Sequence, residues 1–386
     1  MEPTTPSITR RFDLDWVRVI TVLMLLLFHS GRLFNFTPWH LKNAETAVGI
    51  EVYIHFFDYW GMPMFFLVAG AAVWFSLGVR KPSQFLKERV LRLIVPLFLG
   101  ILIVVPPQVY LERIYEGDFT GNFLQFYPTF FTHGTYSYEG MGNLSFHHLW
   151  FLLYLFVICL VTLPLLLRLR RQSGQRFLDR FAAFTRRGGN ILLFVLPLCL
   201  WLVVLGPLFP HGENDLIHDW ARFLYYLTFF TYGYLLSSRE GFWQAIDRHK
   251  LLALVLAVSL SLAEMILDGL GFKSGGPYSP VMILFTCGWC FIAWCWIVAF
   301  LGYARKFLSF SNKFLAYANE AVLPFYILHQ MVIIIVGYFV IQWQMNVYLK
   351  YLIVVVASFA GIMLLYEGIR RTPVTRFIFG MRLKRR

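Results

Sequence analysis

The sequence predicts an all-α fold, namely a polytopic membrane protein of about ten transmembrane helices with both termini cytoplasmic. Of its 386 residues, 58% are hydrophobic and only 14% are charged. A water-soluble domain of this length needs a far more polar surface, so the composition excludes a soluble globular protein. A helix needs about 20 apolar residues to cross a bilayer, and one span with its loop takes roughly 35 to 40, which gives the expected number.

Ten apolar runs account for the spans, and together they predict a single transmembrane domain over residues 1–386. In chain order, the runs cover residues 16–35, 50–77, 91–111, 148–167, 191–208, 220–236, 251–267, 280–301, 321–343 and 348–369. An even number of spans places both termini on the same side of the membrane.

The distribution of lysine and arginine gives the orientation. Of the 34 basic residues, 27 lie in loops on the side of the N-terminus and six lie on the opposite side. Because cytoplasmic loops carry the excess of basic residues, both termini are expected in the cytoplasm. The net charge of +13 has the same origin. Topology and attraction to anionic membrane lipids explain it, and we expect no nucleic-acid partner.

The first span carries two ionisable side chains inside an otherwise apolar helix. Arg18 and His29 are eleven residues apart, which at about 100° per residue places both on one helix face, roughly 16 Å apart. Such groups are costly in a bilayer, so their presence is a functional-site hypothesis. The plain alternative is a buried arginine paired with Asp15, together with a packing histidine.

Other polar side chains of the predicted spans also cluster. They are Glu51, His55 and Asp58 on one face of the second span, Arg89 and Arg92 at the start of the third, His147, His148 and Trp150 at the start of the fourth, and His329 near the middle of the ninth. Arginines at a membrane boundary often extend to headgroups, and histidine with tryptophan is common there, so each has a structural alternative. Together they outline a route across the membrane, with guanidinium groups suited to phosphate at its cytoplasmic end.

Neither the cysteines nor the segments outside the spans indicate a metal site or a further domain. Cys287 and Cys290 have the spacing of a metal-binding pair, but they lie on an apolar helix without a second pair of ligands, so we expect no metal. Segments 177–184 and 307–317 are predicted to form helices on the cytoplasmic membrane surface. The long external segment 112–147 is expected to close over an external site.

These residues stand in motifs that resemble the acyltransferase-3 family of membrane O-acyltransferases. The first span opens with LDWVRV and closes with FHSGRLFN, and GMPMFFLVAG, ERVLRLIVP, HHLWFLLYL, LPFYILHQ and LLYEGIRRTPVTRFIFG follow in the expected order. The HLWFLL and C-terminal segments are similar to the glucan-biosynthesis branch of that family. One departure is Ala69, which precedes Gly70 where many members have serine.

The resemblance implies transfer of an acyl group from cytoplasmic acyl-CoA, either acetyl-CoA or succinyl-CoA, to a hydroxyl of an extracytoplasmic glycan or other acceptor. It also implies the cytoplasmic (inner) membrane of a bacterium. In the family the first-span arginine and histidine are essential, and here they are Arg18 and His29. Histidine, with an ordinary pKa near 6.5, could act as general base or carry the acyl group transiently.

The remaining roles are assigned by chemistry and by the resemblance. Arg18, Arg89 and Arg92 would bind the CoA donor. Asp15, one turn before Arg18, would fix its guanidinium group. The residues expected on the acceptor side are Glu51, His55, Asp58, His147, His148, Trp150 and His329.

A multi-span transporter or exporter of a small anionic or sugar substrate is the alternative, because it too would need a polar path across the bilayer. Transporters often contain inverted repeats with matching interruptions in the two halves. The first five spans and the last five show no such similarity, which favours the acyltransferase interpretation.

Overall fold

The computed structural model of the protein describes residues 10–136, 142–209, 216–272 and 275–382. The α-helices in these ranges are α1 (Phe12–Gly31), α2 (Val48–Val79), α3 (Pro82–Arg89), α4 (Val95–Ile103), α5 (Pro106–Glu116), α6 (Phe123–Phe126), α7 (Thr129–Thr132), α8 (Trp150–Leu169), α9 (Gln172–Thr185), α10 (Val195–Leu205), α11 (Trp220–Ser238), α12 (Glu240–Gly269), α13 (Pro280–Phe307), α14 (Lys313–Val340), α15 (Val347–Ile369) and α16 (Pro373–Ile378). The same ranges contain no β-strand, so the all-α prediction is confirmed.

Eight helical segments of the described chain are long and apolar enough to cross a membrane. They are Val48–Val79, Pro82–Glu116, His147–Leu169, Asn190–Leu208, Glu240–Gly269, Pro280–Phe307, Lys313–Val340 and Val347–Ile369. The first and sixth predicted spans correspond to α1 and α11, which have 20 and 19 residues. Each predicted run therefore coincides with a helical segment, and the protein is an all-α polytopic membrane protein.

The chain divides into two compact units. That residues 1–386 form a single transmembrane domain stays a prediction. The first unit contains Met1–Thr21, Tyr59–Phe85 and Val157–Asn319. The second unit contains Val22–Asp58, Leu86–Phe156 and Glu320–Arg386. Both units are therefore assembled from segments that are distant in the sequence.

Two glycines set the contact between α2 and α11 in the first unit. A Cβ atom on Gly70 would overlap the carbonyl oxygen of Phe230, and one on Gly233 would overlap the carbonyl oxygen of Leu67. Small residues let membrane helices approach until their backbones touch. Glycine at both positions therefore allows this close packing.

The loop between α1 and α2, in the second unit, is ordered by two lysines. Lys42 donates to two backbone carbonyls and to the side-chain oxygen of Asn35, at 2.5 to 2.9 Å. Lys350, a buried residue of α15, donates to the side-chain oxygen of Asn43 at 2.8 Å. These bonds fix the loop that carries His40.

Pro96 accounts for an irregular turn in the third predicted span. Proline has no N–H and cannot donate to the carbonyl four residues earlier, which is that of Arg92. The chain instead forms a π turn at Val90–Ile94, where the N–H of Val95 donates to the carbonyl of Val90. π turns inside helices occur frequently at functional sites.

Of the two segments predicted to form helices on the membrane surface, one is helical, and the prediction of a helix for the other is wrong; the surface position of the first stays a prediction. Residues 177–184 are helical, within α9. Residues 307–317 form no separate helix, because α13 ends at Phe307 and α14 begins at Lys313. Two aromatic side chains of that segment pack against the ring of Trp16 on α1, so they contribute to the fold of the first unit.

Candidate functional site

Five histidines gather within the second unit, and we call them the histidine cluster: His29, His40, His147, His148 and His329. The ring centroids of His29 and His148 lie 4.8 and 5.0 Å from that of His329. The rings of His40 and His147 are 4.6 Å apart. Ionisable groups in membrane-spanning segments are costly and commonly functional, so this concentration marks the candidate site.

His29, which the sequence analysis predicts as catalytic, is paired with His329. His29 is half-buried near the end of α1, whereas His329 on α14 is fully buried. Nε2 of His329 lies 3.0 Å from Nδ1 of His29. Nδ1 of His329 lies 2.5 Å from the carbonyl oxygen of Tyr326. His329 was expected on the acceptor side, and the structure places it directly against His29.

His148 is held by the same turn of α14. Its Nε2 donates to the carbonyl oxygen of Ile327 at 2.9 Å, and the hydroxyl of Tyr326 donates to the backbone carbonyl of His148. Nδ1 of His148 is buried and has no hydrogen-bond partner among the described residues. A buried acceptor of this kind is a place where a hydroxyl could donate.

The carboxylate of Glu112 pairs with His40 of the histidine cluster. Nδ1 of His40 lies 2.5 Å from Oε2 of Glu112, and the two side chains are only 3% and 2% exposed. The hydroxyl of Tyr136 donates to Oε1 of Glu112 at 2.7 Å. Nε2 of Gln330 lies 3.1 Å from Nε2 of His40. The buried carboxylate is therefore paired and hydrogen-bonded, as burial requires.

Part of this cluster could in principle bind a metal ion. Among the described residues, His40, Glu112 and His147 each bring one ligand atom within 4.8 Å of the others. Nδ1 of His40 and Oε2 of Glu112 are 2.5 Å apart, the distance of a short hydrogen bond. The expectation that no metal takes part stays a prediction.

Sequence reasoning missed three groups that the fold brings to the cluster. Trp39 and His40 come from the loop after α1, and the ring centroid of Trp39 lies 6.0 Å from that of His29. Glu112 follows the predicted third span by one residue. Glu112 could have been predicted as a site residue, because a carboxylate at the end of a membrane-spanning run is commonly functional. The loop residues gave no periodic signal.

Arg18 belongs to the first unit, where its guanidinium group is held by two partners. Its Nη2 lies 3.1 Å from Oδ1 of Asp15 and 2.5 Å from Oδ1 of Asn319 on α14. The expected pair with Asp15 is therefore present. Asn319 was not predicted, because no periodicity relates it to α1.

The two arginines at the start of the third span lie at the π turn of the second unit. Arg89 ends α3, and Arg92 lies inside the π turn. Both are half-buried. Nε of Arg92 donates to the carbonyl oxygen of Gly380 at 3.1 Å, which ties this turn to the C-terminal segment. A pair of half-buried guanidinium groups suits a phosphate-bearing ligand.

The other residues expected on the acceptor side have mainly structural surroundings. Oε2 of Glu51 accepts a hydrogen bond from the N–H of Phe36 at 2.9 Å and so holds the loop after α1. His55 is half-buried and Asp58 is exposed on α2. The ring of Trp150 packs edge-on against Tyr154. Contact of these four residues with an acceptor stays a prediction.

Comparison with known proteins gives a family and a group of relatives. The sequence model of a family described as an acyltransferase domain (acyltransferase 3) matches residues 11–367. Proteins named glucans biosynthesis protein C from Escherichia coli O81 (strain ED1a), O139:H28 (strain E24377A / ETEC) and strain K12 are each 22% identical over 387 residues. Each alignment covers 96% of this chain and 94% of the relative. No solved structure matches the chain.

Proposed function

Because this chain belongs to the acyltransferase-3 family, whose members transfer acyl groups, we propose that it is a membrane O-acyltransferase that uses acyl-CoA as donor and a glycan hydroxyl as acceptor. The donor would be acetyl-CoA or succinyl-CoA on the cytoplasmic side. The acceptor would face the other side of a bacterial inner membrane. The names of the curated relatives support a glucan as the acceptor.

The observation that carries this proposal is the setting of His29. His29 as a residue is half-buried, and its ring is held from one side by the fully buried His329. A sugar hydroxyl is a poor nucleophile near neutral pH, and a positioned imidazole that takes its proton typically accelerates such a step by about 10²- to 10⁴-fold.

The reaction needs one proton to be moved twice. His29 takes the proton of the acceptor hydroxyl as its oxygen forms a bond to the thioester carbonyl carbon. The carbon–sulfur bond then breaks, and the imidazolium returns the proton to the CoA sulfur. The products are an O-acyl ester and free CoA, and His29 ends neutral. Transient acylation of His29 itself is the alternative route, which forms the same products in two transfers.

Arginine side chains would bind the donor. Arg89 and Arg92 would contact CoA phosphates, which guanidinium groups bind with paired N–H donors. Arg18 would orient the donor, with Asp15 and Asn319 holding its guanidinium group. His147, His148 and the half-buried Trp39 would contact the acceptor, since hydroxyls suit imidazole nitrogens and an aromatic ring suits the face of a sugar.

The test is acyl-CoA turnover by the purified protein in lipid nanodiscs, with acetyl-CoA or succinyl-CoA and a glucan acceptor. We expect CoA release together with labelled glucan from the unaltered chain. His29→Ala should lower the rate by at least about 100-fold, because the proton acceptor is removed. Comparison of the two donors identifies the acyl group.

His133→Ala is the matched control, because this histidine is exposed and bonds only to Thr129 and Thr132 among the described residues. Its activity should equal that of the unaltered protein. Full activity of His29→Ala would refute the mechanism. Absence of both turnover and CoA binding in the unaltered protein would favour transport of a substrate instead.

A further inference from the structure

We infer that His329 is a positioning residue that sets the tautomer of His29, and that backbone carbonyls of α14 fix which nitrogen of His29 and which nitrogen of His148 can accept a proton. The inference rests on the proposed function for its kinetic consequence. Its structural part is independent of that function, because it concerns only where the ring protons lie.

The first step is the bond between His329 and Tyr326. A carbonyl oxygen can only accept a hydrogen bond, so Nδ1 of His329, 2.5 Å from the oxygen of Tyr326, must carry a proton. A neutral imidazole has one N–H, and His329 is fully buried, which strongly disfavours a charged ring. Nε2 of His329 is therefore an acceptor.

The protonation of His329 determines which nitrogen of His29 carries a proton. Nε2 of His329 lies 3.0 Å from Nδ1 of His29, and one of these two nitrogens must donate. Because Nε2 of His329 accepts, Nδ1 of His29 is the donor. The lone pair of neutral His29 is then on Nε2. The basic nitrogen is thus Nε2, and the carbonyl of Tyr326 favours this tautomer through the ring of His329.

The tautomer of His148 is set directly by a backbone carbonyl of α14. Its Nε2 lies 2.9 Å from the carbonyl oxygen of Ile327, so this nitrogen carries the proton. Its Nδ1 is then an acceptor, and it is the buried nitrogen without a partner among the described residues. Two adjacent carbonyls of α14 therefore orient two imidazoles, each with one lone pair left for a hydroxyl.

Replacement of His329 should affect catalysis differently from replacement of a residue that binds the donor. Without an acceptor at position 329, Nδ1 of His29 loses the hydrogen bond to the imidazole of His329, and the two neutral tautomers of His29 become closer in energy. The step limited by proton transfer should slow, while donor binding should be unaffected. In metal sites, loss of a partner that orients a ligating histidine costs roughly 10- to 100-fold in affinity or activity, and we expect a loss of similar size here.

The kinetic experiment compares His329→Leu with His329→Gln in nanodiscs. Leucine fills a similar volume but cannot accept a hydrogen bond, so kcat should fall by roughly 10- to 100-fold with an unchanged KM for acyl-CoA. Glutamine can place its amide oxygen near the site of Nε2 and accept from His29. It should recover most of the loss. Equal, full activity of the leucine variant would overturn the inference.

A second readout does not depend on activity and needs no variant of His329. Solid-state NMR of the unaltered protein with ¹⁵N-labelled histidine rings reports which nitrogen of each neutral ring is protonated, and the spectrum of His29→Ala identifies the signals of His29. We expect a protonated Nδ1 and a bare Nε2 for His29. A bare Nδ1 would refute the inference even if acyl transfer is confirmed. If acyl transfer is absent but the expected tautomer is found, the proposed function fails alone.

Discussion

In the second unit, three buried side chains donate hydrogen bonds to backbone carbonyl oxygens. His329 and His148 donate to carbonyls of α14, and Lys350 donates to the carbonyl of Ile341 at 3.1 Å. A carbonyl oxygen has two lone pairs, so it can accept such a bond beyond the one it makes within a helix. Backbone carbonyls therefore help to orient these three side chains.

Lys42 gives a prediction at the scale of one residue. Burial, with the nearby charge of Arg32 as a second cause, lowers the pKa of Lys42 to about 8. An amine reacts with acylating reagents only in its neutral form, so labelling of Lys42 should reach half its maximal rate near pH 8. Mass spectrometry of the protein labelled between pH 6 and pH 11 measures this midpoint.

The replacement Arg32→Gln is the companion variant for Lys42. It removes the second cause of the shift, so the labelling midpoint should move to higher pH. A midpoint for the unaltered protein near the ordinary value for lysine, about 10.4, would contradict the ordered loop on which the position of His40 depends.

At the scale of helices, the shape of each unit depends on residues that lack an ordinary side chain or an ordinary N–H. Pro96 leaves the carbonyl of Arg92 without its helical donor, and the π turn follows. Gly70 and Gly233 remove the atoms that would keep α2 and α11 apart. The proline and the two glycines can be seen in the sequence, but the sequence does not show which residues they contact.

Gly70→Ala tests the contact between α2 and α11. In a helix interior, alanine is normally more stable than glycine by about 1 kcal/mol. Here the added Cβ would overlap the carbonyl oxygen of Phe230, and overpacking of this kind typically costs about 1 to 3 kcal/mol. The variant should therefore unfold at a lower temperature in detergent than the unaltered protein.

Gly288→Ala on α13 is the control, since nothing lies within 4 Å of its added Cβ. This variant should be as stable as the unaltered protein or more stable. If both variants raise the unfolding temperature equally, the backbone contact between α2 and α11 is absent.

At the scale of the whole molecule, the predicted topology rests on ten helical segments and on the charge of their connections. All ten predicted runs coincide with helices, and 27 of the 34 lysines and arginines lie on one predicted side. Because basic residues are retained in the cytoplasm, the histidine cluster and the arginines of the third span should face opposite sides.

Reporter fusions test this topology. Alkaline phosphatase fused after Arg386 should be inactive, whereas fusion after Phe272, between α12 and α13, should give an active enzyme, because that reporter folds only outside the cytoplasm. Green fluorescent protein at the same positions should give the reverse pattern. An active phosphatase at the C-terminus would invert the orientation and with it the proposed side of the donor.

The sequence alone determined the fold class, the helices and the two residues with the clearest chemical signal. Apolar runs must form helices in a bilayer because every backbone group has to be hydrogen-bonded internally, so composition and run length suffice. Arg18 and His29 were found because a fixed helical period relates them. Asp15 was paired with Arg18 for the same reason, and the structure contains that pair.

Which residues surround His29 depends on how the helices and loops of the second unit pack. His40, Glu112 and Gln330 come from segments far apart in the chain, and no local periodicity relates them to His29 or to one another. His329 was noticed in the sequence, but its role as the partner of His29 was not. Such contacts depend on how helices pack, and packing is decided by the shapes of whole faces, such as those at Gly70 and Gly233, rather than by spacing within one helix.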